Sequence, residues 1–174
     1  MTIRQETDRD HPAVFDLITI AFAGEPLSDH REQYLVERLR RSHAFVPELA
    51  LVAELDGEVV GYILLTEARI EDARRSFTTL ALAPVAVRPD RQGRGIGGRL
   101  IEAAHDRARQ LGYTSVVLLG HADYYPRFGY RRCDGYGIEL PFEAPPENCL
   151  AVELVSDGLA GVRGTVRYPE AFAG

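Results

Sequence analysis

The sequence predicts a mixed α/β (α+β-like) fold, a mostly antiparallel central sheet with helices on both faces. Three observations carry this. Short apolar segments, two of them joined by Asp56-Gly57, read as antiparallel strands. Apolar residues recurring every three or four positions mark helices before and after the main strands. One strand–helix–strand unit over residues 77–119 supplies a single crossover.

In chain order, Thr2–Glu6 alternates as a first strand. Asp8 or Asp10 caps a helix with Pro12 in its first turn; Val14, Leu17, Ile18, Ala21 and Phe22 form its apolar stripe, and Gly24 ends it. Ser28 or Asp29 opens a second helix running to Ser42, with Tyr34, Leu35 and Leu39 as its stripe. Ala50–Leu55 and Glu58–Leu65 are strands, the second running on towards Ile70, and a type I′ turn between them needs positive φ at both Asp56 and Gly57. Glu71–Ser76 is a charged turn. Phe77–Val87 is nearly all apolar and so belongs in the middle of the sheet. Pro84 cannot donate a ladder hydrogen bond, so this strand bulges or splays there. A helix from Gly95 to Leu111 carries Ile96, Leu100, Ala104, Ala108 and Leu111 on one stripe and stops at Gly112. Ser115–Leu119 is a short buried strand, and Asp123–Phe128 a short helix or turn ending at Gly129. Gly137–Leu140 and Leu150–Val155 read as the last paired strands across a Pro-rich loop, with Val162–Tyr168 as an edge strand.

Composition narrows the function classes. The chain has 174 residues, 45% hydrophobic and 26% charged, which suits one domain with a full core. No run approaches the ~18 apolar residues of a membrane span. The polar N-terminus does not read as a secretory signal, so the expected location is cytoplasmic, with no membrane partner. All 20 basic residues are Arg, against 26 acidic ones, for a net charge of −6. That balance argues against a nucleic-acid partner. Cys133 and Cys149 lack metal-ligand spacing and read as free thiols. His11, His30, His43 and His105 also lack ligand spacing, so no metal is expected.

The informative segment is Val85–Gly98, where an apolar strand meets a turn holding Gly93, Gly95, Gly97 and Gly98 and a helix opens at once. The free N–H groups of a helix's first turn, with glycines that let a ligand approach, make an anion site best suited to a pyrophosphate. Arg88, Arg91 and Arg94 add local positive charge. Gly93–Gly98 also matches GxGxxG, but the dinucleotide fold needs the first glycine directly after the strand and an acid ending the next one. Here five residues separate Val87 from Gly93, and the next strand ends in Leu118-Leu119-Gly120-His121.

Gln92-Gly-Arg-Gly-Ile-Gly97 resembles the Q/R-x-x-G-x-G/A loop of GNAT-type (acetyl-CoA-dependent) N-acetyltransferases. The strand before it, the helix after it and Tyr124-Tyr-Pro-Arg-Phe-Gly-Tyr130 are similar to that family as well. The YYxRFGY form is nearest to a branch of bacterial acetyltransferases. The specific motifs cover 80–98 and 113–131. The resemblance implies a GNAT-like sheet with a splayed strand pair, and one acyl-CoA N-acyltransferase domain over residues 1–174. It implies acetyl-CoA as cosubstrate, with Gln92, Gly93, Arg94, Gly95, Ile96, Gly97 and Gly98 at its pyrophosphate and Val85, Ala86 and Val87 along its pantetheine arm. Pro84 suits the splay. By the same resemblance Tyr125, four residues before Gly129, protonates the departing thiolate.

Some members carry a glutamate near position 81 as general base; here that residue is Ala81. Glu25, Glu67, His121 and Asp123 are the remaining candidates, or waters between them. His121 directly follows the crossover strand, at the edge where ligands bind in this class. The acceptor is expected to be a small-molecule or peptide amine, and a homodimer, common in the family, is the implied assembly. A noncatalytic acyl-CoA-binding regulatory domain is the alternative.

Overall fold

The computed structural model describes all 174 residues. β1 (Thr2–Gln5) leads through a short turn into α1 (His11–Phe22) and then α2 (Glu32–Arg40). Next come β2 (Phe45–Leu55), β3 (Glu58–Glu71) and β4 (Ser76–Val87), followed by α3 (Ile96–Gln110) and β5 (Ser115–Leu119). The rest of the chain holds β6 (Arg131–Arg132), β7 (Ile138–Glu139), β8 (Cys149–Glu153) and β9 (Gly164–Arg167). The nine strands form one sheet in the order β1-β2-β3-β4-β5-β8-β6, while β9 pairs with both β3 and β7. β4–β5 and β7–β9 are its parallel pairs.

The hairpin turn has Asp56 at φ 52° and Gly57 at φ 79°, as the sequence requires. α2 and the end of the chain differ from expectation. α2 starts at Glu32 and buries Gln33, Val36 and Leu39, whereas Tyr34 stays 44% exposed. Ser28 donates to Glu32 from outside the helix instead of capping a longer one. Leu111 is likewise exposed, just past the end of α3. The strand at residues 138–139 does not pair with the one at 149–153. β7 pairs with β9, and β8 inserts between β5 and β6. Two short strands next to a Pro-rich loop carry too little pattern to specify a long-range partner.

α3 covers one face of the sheet over a continuous apolar cluster of 20 buried residues. Gly61 of β3 permits its close approach, since a Cβ there would stand 2.9 Å from Leu100 Cδ1. α1 and α2 cover the other face over a separate cluster of ten residues, and a third cluster of ten lies under the C-terminal segments. Arg40 of α2 reaches Glu6 through Nε (3.0 Å) and Nη2 (2.8 Å), and Tyr62 Oη donates to the same carboxylate at 3.2 Å. This nearly buried group ties α2 to β3.

Candidate functional site

The geometry of the site begins with β4. It pairs with β3 along its whole length, but with β5 only at Leu80↔Val116 and Ala81↔Val117. Thr79 Oγ1 and Ser115 Oγ, both buried, lie 2.7 Å apart and clamp the closed end of this V. Past Ala81 the edge of β4 facing β5 has no strand partner. A register shift against β3 falls between Ile63↔Val85 and Leu65↔Leu82, at Pro84. The sequence expectation of a bulge or splay at this proline thus holds in both senses: the ladder with β3 slips, and the ladder with β5 ends. Val85 and Val87 pack towards the α3 side, whereas Ala86 lies in the cluster under α1 and α2.

The turn at the head of α3 divides into two kinds of glycine. Gly93 (φ 75°) and Gly95 (φ 79°) are left-handed, which side chains other than glycine adopt at a cost. A Cβ on either would meet nothing within 4 Å, so the space before the turn is open. Gly97 and Gly98 are small for another reason. A Cβ at Gly97 would stand 3.2 Å from Tyr124 Oη, and one at Gly98 3.3 Å from Phe128 Cζ. They admit the aromatic turn that follows β5. Gln92, expected at the ligand, donates through Nε2 to Val87 O at 3.1 Å and ties the loop to the end of β4. Arg88 is not a free positive charge, because Asp90 and Glu58 engage its guanidinium. Arg94 is exposed, and Arg91 lies 3.8 Å from Asp90. Gly95 caps α3, and the helix start at Ile96 leaves first-turn N–H groups directed into the open space.

Tyr125 is 8% exposed and begins a single 3₁₀ turn, Tyr125–Phe128. Its ring lies against Gly120, where a Cβ would be 2.5 Å from Tyr125 Cε2. Gly120 is in turn held twice by Asn148: Gly120 N donates to Asn148 O, and Asn148 Nδ2 donates to Gly120 O, both at 2.9 Å. Neither Gly120 nor Asn148 stood out in the sequence. Their role depends on β8 lying beside β5, a pairing with no local signal. Behind Tyr125, Tyr130 packs edge-on at 5.6 Å between ring centroids, and His105 Nε2 lies 2.8 Å from Tyr130 Oη. Burial, with nearby Arg109, lowers the His105 pKa to about 4, so its ring is neutral at pH 7. Burial first, and Tyr124 second, push the Tyr125 phenol upward, so it keeps its proton at neutral pH.

The base candidates are scattered. Glu67 accepts a short hydrogen bond from Tyr113 Oη. Like Leu65 two residues before it, it stands on the α3 face of the sheet, and its ladder partner Leu80 lies at the closed end of the V. Glu25 lies in the connection between α1 and α2, and Asp123 is exposed next to Tyr124. His121 is exposed at the end of β5, and its backbone oxygen accepts from Tyr124 N and Tyr125 N. The fold therefore brings Val85–Val87, Gly93–Gly98, Tyr124 and Tyr125 to one end of the sheet, with His121 at its rim. No group of three or more His, Cys, Asp or Glu side chains is placed to hold a metal, and no helix is long and apolar enough to cross a membrane.

Known proteins are similar to this chain in sequence and fold. Residues 12–130 match the model of the acetyltransferase (GNAT) family. The uncharacterised N-acetyltransferase YjhQ of Escherichia coli is 40% identical over 119 residues, 68% of this chain and 66% of that protein. The uncharacterised N-acetyltransferase YhbS of Escherichia coli is 31% identical across 99% of this chain and 98% of its own length. The crystal structure of YhbS in complex with CoA superposes with a TM-score of 0.87 at 28% identity, covering 99% of this chain and 92% of that one. A GNAT family acetyltransferase from Brucella melitensis in complex with acetyl-CoA gives a TM-score of 0.80 at 32% identity, covering 98% and 97% of the two chains.

Proposed function

This chain belongs to the GNAT acetyltransferase family, and we propose from that premise that it moves an acetyl group from acetyl-CoA to an amine acceptor. The observation that carries the reading is the free edge of β4 past Ala81, followed after the short 3₁₀ turn Pro89–Arg91 by the left-handed glycine turn at the head of α3. An extended arm with amide groups fits an unpaired strand edge, and a pyrophosphate fits the open space before Gly93 and Gly95. Relatives whose structures hold CoA or acetyl-CoA support the same reading.

The cosubstrate supplies an acetyl group activated as a thioester. Gly93–Gly98 hold its phosphates through backbone N–H groups, and Val85, Ala86 and Val87 line its arm. Backbone N–H groups of β4 polarise the acyl oxygen. The Tyr125 hydroxyl holds the proton that the departing sulfur takes. His121, at the rim, contacts the acceptor or takes its proton. The acceptor is a primary amine of a small molecule or peptide.

Calorimetry with acetyl-CoA tests this reading first. The expected dissociation constant is low-to-mid micromolar, about −7 to −8 kcal/mol. The second arm is release of CoA thiol with a panel of amines: n-butylamine, spermidine, free amino acids and a short peptide with a free N-terminus. No heat at millimolar acetyl-CoA would contradict the reading. Heat without thiol release from any amine would favour a noncatalytic acyl-CoA-binding domain.

A further inference from the structure

Tyr125 is the proton donor in the reading above, and the contacts that hold it fall on its ring. Gly120 lies against one side, where a Cβ would stand 2.5 Å from Tyr125 Cε2. Tyr124 packs edge-on with ring centroids 5.1 Å apart, and Tyr130 packs edge-on at 5.6 Å with the ring planes at 73°. Tyr130 is 2% exposed and belongs to the same apolar cluster as Tyr125. An edge-on contact sets the angle between two rings but does not by itself fix where the pair sits. The direction of the Tyr125 hydroxyl therefore depends on what holds Tyr130.

Tyr130 is held by α3. His105 of that helix is 4% exposed, and its Nε2 lies 2.8 Å from Tyr130 Oη. The buried residues around it on the helix, Ile101, Ala104 and Ala108, are all apolar. An imidazole and a phenol in such a core both lose hydration, and their bond to one another offsets that loss. An apolar pair would fill the space without the loss. What the polar pair adds is direction, since a hydrogen bond fixes both distance and angle. α3 also carries the glycine turn at its head, where Gly97 and Gly98 admit Tyr124 and Phe128. One helix thus sets the phosphate turn and, through Tyr130, the ring of Tyr125.

We propose that His105 is a positioning residue for the proton transfer: it fixes Tyr130, and Tyr130 fixes the ring of Tyr125 so that the hydroxyl faces the departing sulfur. The inference rests on the acetyltransferase reading, with Tyr125 as proton donor, and adds two residues that act from behind it.

The test follows CoA thiol release in a single turnover, with the panel amine that wild type acetylates fastest. Tyr130→Phe keeps the ring and removes the hydroxyl. It should slow release about tenfold and leave acetyl-CoA affinity unchanged. It should also melt lower, because His105 is left buried without its partner. Adding His105→Leu removes that orphan and should bring the melting temperature back towards wild type, while release stays slow. His105→Gln, whose amide reaches the place of Nε2, should keep release near wild type. In a Tyr125→Phe background, Tyr130→Phe should cost nothing further, since the group it positions is gone. An unchanged rate in Tyr130→Phe would overturn the inference. So would a double variant that regains rate along with stability, which would assign the pair to packing alone. A full tenfold loss on top of Tyr125→Phe, or a wild-type rate in Tyr125→Phe itself, would overturn it as well. Silence of the wild type on every amine would instead overturn the acetyltransferase reading, and the inference with it.

Discussion

The two faces of the central sheet are built differently. Under α3 the core is one cluster of 20 buried residues, running from Leu49 through Leu100 to Leu154 without a break. On the opposite face the same strands feed two clusters of ten, separated at Thr66 and the parting of β4 from β5. The continuous face fixes the head of α3: Gly61 lets Ile96 and Leu100 seat closely, and this sets where the first-turn N–H groups point. The divided face carries no such constraint. One face is therefore closed by a single packed layer, and the other is assembled from two separate ones.

The largest expected effect lies on the continuous face. Gly95→Asp should abolish acetyl-CoA binding, weakening it by at least about 10²-fold, because a carboxylate would stand in the open space before the turn and repel a phosphate. The fold should survive. A Cβ at Gly95 meets nothing within 4 Å, and Asp is among the residues that tolerate positive φ. Calorimetry and a thermal melt read the two halves; normal affinity with a normal melt would make the turn purely structural.

Next in size is Tyr125→Phe, which should lower kcat roughly 10²-fold while leaving acetyl-CoA affinity near wild type. The ring stays packed on Gly120, so stability should change by less than about 1 kcal/mol. The smallest effect belongs to Tyr124→Phe. Its hydroxyl lies by Gly97 at the head of α3, so it should alter acetyl-CoA affinity a few-fold at most and leave kcat nearly intact. Steady-state kinetics with one saturating amine separates the neighbours. Equal kcat for Tyr125→Phe and wild type, with chemistry rate-limiting, would remove Tyr125 from the proton transfer.

Much of the continuous face was legible in the sequence because its signals are local. The Asp56-Gly57 turn, the apolar run of β4, the proline within it and the stripe of α3 each depend on residues a few positions apart. The glycine turn was legible as one motif, but its glycines serve two ends: Gly93 and Gly95 for backbone conformation, Gly97 and Gly98 for the approach of Tyr124 and Phe128. Arg88 read as local positive charge, but Asp90, two positions on, and Glu58, 30 positions away, both engage its guanidinium. The divided face was much less legible. Gln33 replaces an apolar residue in the buried stripe of α2. The partners of β7 and β8 depend on long-range pairing.

Hydrogen exchange at individual amides, with and without acetyl-CoA, addresses the central claim most directly. If the free edge of β4 and the turn at α3 hold the cosubstrate, acetyl-CoA should slow exchange at Leu82, Ala83 and Val85–Val87, Pro84 having no N–H, and at Gly93–Gly98. Exchange at Thr79–Ala81, already closed by β5, should hardly change. Protection confined to other parts of the chain, or no protection at saturating acetyl-CoA, would contradict the assignment of this cleft.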